Sequence, residues 1–227
     1  SVNDGQWGGI FGGNFNEING EFGCSIAGNG NNVISGLVAG GQSNVAEGSH
    51  AVVVGGLNNY AQASWNSIVG GNNNTIGLGT DNCLILGGKD NDIVNYTTHS
   101  AILGGEGNLI GSTENESRRA VIAGGRFNKI LEDGYCGFIA GGYDNRILSG
   151  GQTMSNSGGE DRAIFGGRSN QSHGSGQSVM LGGTFESMFP IDSVDSRGHV
   201  SLPVATFLGG VQSDNGSNTQ VTGSTPD

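Results

Sequence analysis

The chain has 227 residues, of which 46 are glycine and only 3 are proline, so about one residue in five lacks a side chain against a norm of roughly 7%. That excludes a helix-dominated protein, since each interior glycine costs about 1 kcal/mol relative to alanine, and the absence of a three-residue glycine period excludes collagen. A formal charge of −11 excludes a nucleic-acid or anionic-membrane partner, because both require a basic patch, and no apolar run reaches the roughly 18 residues of a membrane-spanning helix.

In chain order, one unit recurs. It reads Ile10-Phe11-Gly12-Gly13, then a degenerate Ile26-Ala27-Gly28-Asn29, then Val38-Ala39-Gly40-Gly41, Val53-Val54-Gly55-Gly56 and Ile68-Val69-Gly70-Gly71. It continues with Ile85-Leu86-Gly87-Gly88, Ile102-Leu103-Gly104-Gly105, Ile122-Ala123-Gly124-Gly125 and Ile139-Ala140-Gly141-Gly142. Ile164-Phe165-Gly166-Gly167, Met180-Leu181-Gly182-Gly183 and Phe207-Leu208-Gly209-Gly210 complete the series. Four residues after the first glycine stands an asparagine: Asn16, Asn32, Asn44, Asn59, Asn74, Asn91, Asn108, Asn128, Asn145 and Asn170. Two further on comes an apolar residue, among them Ile18, Ile34, Ile76, Ile93, Ile110, Ile130 and Ile147. The degenerate copy reads as having lost its second glycine.

Each part of the unit has a physical meaning. Short β-branched, apolar segments are strands. A glycine pair permits positive φ and a sharp corner, and asparagine, which tolerates the left-handed region, suits the next bend. Two short walls and two corners in about 15 residues make one coil of a parallel β-solenoid. The expected fold is therefore all-β, a β-roll or β-helix of about twelve short coils over residues 1–188, with a divergent last repeat and C-terminal segment over 189–227. The structural residues of the repeat are typified by Gly12, Gly13 and Asn16, by Gly70, Gly71 and Asn74, by Gly124, Gly125 and Asn128, and by Gly141, Gly142 and Asn145.

Both positions before the glycines are apolar in every copy, yet strand neighbours face opposite sides. One side fills the coil; the other requires a cover, since a strand apolar on both faces is normally buried on both. The expectation is a homo-oligomer packed about a shared hydrophobic axis.

The segment Asn66-Ser67-Ile68-Val69-Gly70-Gly71-Asn72-Asn73-Asn74-Thr75-Ile76 resembles the head repeat of trimeric autotransporter adhesins. Similar glycine–asparagine repeats occur in bacteriophage tail fibres and tailspikes. The resemblance covers residues 8 to about 188 and implies a left-handed β-roll with three chains side by side. In this chain the period wanders and the glycine is doubled, and a heptad stalk or membrane anchor is not expected. The expected function is accordingly a structural, host-surface-binding segment of a phage or virus fibre or spike, located on the virion or an extracellular surface. Its expected partners are two further copies, other fibre proteins and a host glycan or protein. A bacterial trimeric adhesin head and a polysaccharide-degrading tailspike are the alternatives.

Binding is expected in the loops that interrupt the repeat. The candidates are the aromatic residues Trp65, Tyr96 and Tyr135, together with Phe189, Asp192, Asp195, Arg197 and His199 in the long interruption after Glu186. No convergent acid–base pair or nucleophile–base pair stands out. Catalysis, a cofactor and a metal are therefore not expected, and only Gly87-Gly88-Lys89-Asp90-Asn91-Asp92 approaches a calcium-binding nonapeptide. Cys24, Cys83 and Cys136 fall in coils too far apart for an intrachain disulfide, which needs Cα atoms within about 7 Å.

Overall fold

The computed structural model describes residues 2–4, 7–111, 117–131, 136–148, 162–172, 178–184, 187–188 and 206–207. They form a parallel β-solenoid without helix, built from strands of two or three residues. The chain alternates between two parallel sheets of 12 strands each. One, termed the glycine sheet, holds the strands that precede the glycines; the other, the asparagine sheet, holds those that follow the asparagines. Register is strictly in line: Ile68 pairs with Val53 and Ile85 in the glycine sheet, and Ile76 pairs with Ala61 and Ile93 in the asparagine sheet.

In almost every described strand the first residue points outward and the second inward, the alternation a strand imposes. The inward residues of the two sheets face each other as columns: Ile68, Ile85, Ile102, Ile122, Ile139 and Ile164 against Ile76, Ile93, Ile110, Ile130 and Ile147, all buried. Each such side chain contributes roughly 1.5–3 kcal/mol through burial.

The corner between the glycine strand and the asparagine strand has the same length in every coil, as from Ile10 to Glu17, Ile68 to Thr75 and Ile139 to Arg146. Its two glycines are not equivalent. Gly71 has φ +91, and a Cβ there would lie 2.2 Å from the Gly88 carbonyl oxygen, whereas a Cβ on Gly70 would meet nothing within 4 Å. The second glycine thus makes both the turn and the close approach of the next coil; the first is sterically free at Gly55, Gly70, Gly87, Gly104, Gly124 and Gly141, whereas Gly40 has φ +108.

The asparagine is not itself in the left-handed region. That conformation belongs to the residue before it, as at Asn73 (φ 58), Phe127 (φ 58) and Asp144 (φ 52). The asparagine turns inward instead, fully buried. Asn74 Nδ2 donates to the Gly70 carbonyl of its own coil at 3.1 Å and to the Gly88 carbonyl of the next at 3.1 Å. Asn74 Oδ1 accepts the Asn91 backbone N–H at 3.1 Å. The same backbone bond links Asn16 to Asn31 and runs unbroken through Asn44, Asn59, Asn74, Asn91, Asn108, Asn128 and Asn145 to Asn170.

The ladder corrects the reading of the degenerate copy. Ser25, not Ile26, pairs with Ile10 and Val38, so Ala27 stands at the first-glycine position and Gly28 (φ +110) at the second. The ladder residue is Asn31, the core residue is Val33, and Asn32 and Ile34 lie outside the core. The copy has kept the glycine that geometry demands and lost the one it tolerates losing. Because the side-chain period is two, reading the copy one residue out of register exchanges inside and outside along its length.

The return connection, from asparagine strand to glycine strand, absorbs all the length variation, from Val33–Leu37 to Met188–Thr206. Its buried position holds Ala51, Asn66, Cys83, Ser100 or Ala120 in successive coils, and each coil satisfies its backbone differently. Asn66 Oδ1 accepts the Cys83 N–H at 3.0 Å, and Ser100 Oγ accepts the Ala120 N–H at 3.0 Å. Cys24, Cys83 and Cys136 are free thiols, and the strands that follow or contain them are not ladder neighbours. Burial pushes the Cys83 thiol up to about 11.

Three outcomes are expected. Gly71→Ala lowers unfolding stability by at least ~2 kcal/mol, while Gly70→Ala stays within about 1 kcal/mol, both read by chemical denaturation. Asn74→Ala orphans buried donors and acceptors and costs roughly 2 kcal/mol or more; Asn74→Asp, nearly the same size but without the two donors, is destabilised comparably in the same assay. In the folded protein at pH 8, iodoacetamide labels Cys136 well before Cys83, whose raised pKa and burial withhold the reactive thiolate; peptide mass spectrometry reads the order.

Candidate functional site

Three surfaces run along the solenoid, and the strand alternation decides the chemistry of two of them. The outer face of the asparagine sheet carries Glu17, Asn32, Thr75, Asp92, Lys129, Arg146 and Gln171 among a few apolar residues. On it the Tyr60 hydroxyl donates to Glu47 of the preceding coil, which raises the Tyr60 pKa, chiefly through that bond. Burial raises the carboxyl of Asp92 above its ordinary value, partly offset by a hydrogen bond from Thr75. This face is ordinary solvated sheet.

The outer face of the glycine sheet differs. One outward column runs Leu37, Val52, Ser67, Leu84, Ala101, Val121, Phe138 and Ala163. Beside it runs a second: Phe11, Ile26, Ala39, Val54, Val69, Leu86, Leu103, Ala123, Ala140, Phe165 and Leu181. Val69 is 42% and Leu86 44% exposed, and the Phe138 and Phe165 rings meet edge to face at 5.7 Å. Neither of these two columns contains a charged side chain.

The constant corner bears a third surface, a ladder of single bridged residues from Asn14 to Thr184. Three of its charged residues form a paired network: Lys89 with Asp90 at 3.5 Å and Glu106 at 3.8 Å, and Arg126 with Glu106 at 3.0 Å. Arg126 lies over Phe127 and Arg168 over Tyr143. Exposed pairs of this kind contribute at most about 1 kcal/mol each. Among the described residues no cluster of three or more His, Cys, Asp or Glu side chains is placed to hold a metal ion.

Of the residues expected to bind, Tyr135, Phe189, Asp192, Asp195, Arg197 and His199 lie outside the described residues. Trp65 stands on the return corner with φ 57, 56% exposed, and its ring is stacked on that of His50 at 3.9 Å and 4°. Tyr96, at φ 50 and also exposed, lies on a return loop leading to strand Ala101–Ile102. Strand Leu84–Ile85 separates that coil from the one Trp65 begins. Trp65 and Tyr96 therefore share an edge of the solenoid, but they are not brought into one pocket.

Residues that the repeat pattern does not single out complete this edge. Trp7, Phe22, Ser35, His50 and Trp65 each lie two residues before the outward residue of a glycine strand, so they occupy the same corner in successive coils. Trp7 and Phe22 are largely exposed. An open groove of about 660 Å³ lies where Ser35 interrupts the aromatic series, lined by Phe22, Ser35, Gly36, Leu37, Ser49, His50, Ala51 and Val52. The signal is present as a spacing to the strand, but the short return Val33–Leu37 breaks the even spacing and the residue type changes at Ser35.

Compared with known proteins, the chain matches no family model and no curated protein. What the geometry defines is a class of architecture, the parallel β-solenoid with one apolar long face.

Proposed function

We propose that the chain is a structural, host-surface-binding segment of a phage or virus tail fibre or spike, acting by multivalent adhesion without catalysis. In this reading three copies, each a stack of twelve coils, pack their glycine-sheet faces about a common axis. The observation that carries it is the apolar face that the glycine sheet turns outward. It continues from Phe11 to Leu181, a stripe about 48 Å long at about 4.8 Å per coil, and a long contiguous apolar surface marks an interaction site.

The remaining surfaces fit this arrangement. With the apolar face covered, each copy turns its polar sheet and its return loops outward. Three identical loop sets on a stiff rod then engage repeated surface groups together, which raises effective affinity without any new contact. The charge of −11 per chain keeps such a rod soluble outside a cell.

Light scattering is expected to give three times the 23.0 kDa of the chain. The double variant Val69→Glu/Leu86→Glu places carboxylates at the centre of the apolar face and is expected to run at the mass of one chain. Labelled wild type should co-sediment with the cells that the particle infects, and the double variant at least tenfold less, because avidity is lost. A wild-type protein of single-chain mass overturns the assembly; a trimer that fails to co-sediment overturns the adhesive role.

A further inference from the structure

We propose that the groove on the return corner between Phe22 and His50 is a saccharide subsite that takes one pyranose ring. This deepens the adhesive reading and rests on it for its biological role.

The geometry starts from the coil spacing. Corner residues in successive coils are about 4.8 Å apart along the stack, and the rings of His50 and Trp65, in adjoining coils, stack at 3.9 Å. Ser35 occupies the same corner in the coil between Phe22 and His50. The series of rings is therefore missing one member, and Phe22 and His50 are held about 9.6 Å apart, two coil spacings. A ring placed midway has a wall at about 4.8 Å on each side, within the range of stacked contacts. Phe22 is 63% exposed, so its wall is free to receive a ligand.

The lining selects the kind of ring. Phe22, His50, Leu37 and Val52 give apolar surface, while the Ser35 and Ser49 hydroxyls also line the groove. A pyranose has two C–H faces to lie against the walls and a rim of hydroxyls to exchange hydrogen bonds with the serines. A purely aromatic ring would leave those hydroxyls without partners, at a cost. The groove is open on the loop side of the solenoid, where an extended glycan can enter. Leu37 and Val52 place it at the margin of the apolar face, so an aromatic side chain of another copy is the competing occupant.

Saturation-transfer NMR on the full chain tests this, with four probes: the methyl pyranosides of glucose, galactose, mannose and N-acetylglucosamine. Transfer to at least one is expected for wild type. Ser35→Trp fills the gap with the chain's own ring and should reduce transfer at least tenfold; Phe22→Ala, at an exposed position, should reduce it several-fold. No transfer to any probe, or transfer undiminished from wild type in either variant, overturns the subsite. A fall in assembly mass on Ser35→Trp also overturns it, since the groove would then be the seat of a neighbouring copy. Failure of the subsite with retained co-sedimentation of wild type leaves the adhesive role standing on other loops, so the two readings fail separately.

Discussion

The structure depends on one constraint: a buried carboxamide in each coil must reach the backbone of its own coil and of the next at once. Asn74 does so through Gly70, Gly88 and Asn91, and its neighbours repeat the pattern. A buried amide left unpartnered costs more than the same bond contributes when made. The ladder therefore penalises any coil that slips against the last. The second glycine belongs to the same device. A Cβ on Gly71 would crowd both the Gly88 carbonyl and Asn74 Nδ2, at 2.2 and 2.5 Å, so the turn, the close approach and the amide ladder stand or fall together.

From that fixed corner the rest follows. A constant arc delivers each asparagine strand in register, which fixes the inward isoleucines and, by alternation, the outward residues. The long apolar face of the glycine sheet is thus a consequence of register: whatever precedes the glycines by one residue is displayed on the same line in every coil. The return arc has no such ladder. It closes with an alanine, an asparagine, a cysteine or a serine, and it can lengthen without disturbing the stack. Rigid presentation and variable loops come from opposite corners of the same coil, as solenoid binding surfaces require.

The solenoid is legible in the sequence because the periodic residues are those under steric compulsion. Gly71 and Asn74 recur because nothing else fits, and Ile76 recurs because it fills the core. What the sequence hides is equally physical. Copy two carries Ala27 at a position where a Cβ is harmless, so counting glycines puts its register one residue off and points to Asn32 in place of Asn31. Backbone tolerance alone makes asparagine a bend residue; burial shows that its side chain matters more, and that Asn73, not Asn74, adopts positive φ. The corner shared by Phe22, Ser35, His50 and Trp65 is obscured because its residue types differ and the short Val33–Leu37 return breaks an otherwise even spacing. Only the strand register brings them into line.

The most direct measurement of the ladder is hydrogen exchange at the asparagine side-chain amides, followed by NMR. If each carboxamide is locked between two coils, the Nδ2 protons of Asn74, Asn91 and Asn108 exchange as slowly as the backbone amides of Ile76 and Ile93, whereas those of exposed Asn58 exchange within the dead time. Ladder and exposed side chains exchanging at the same fast rate would contradict the account.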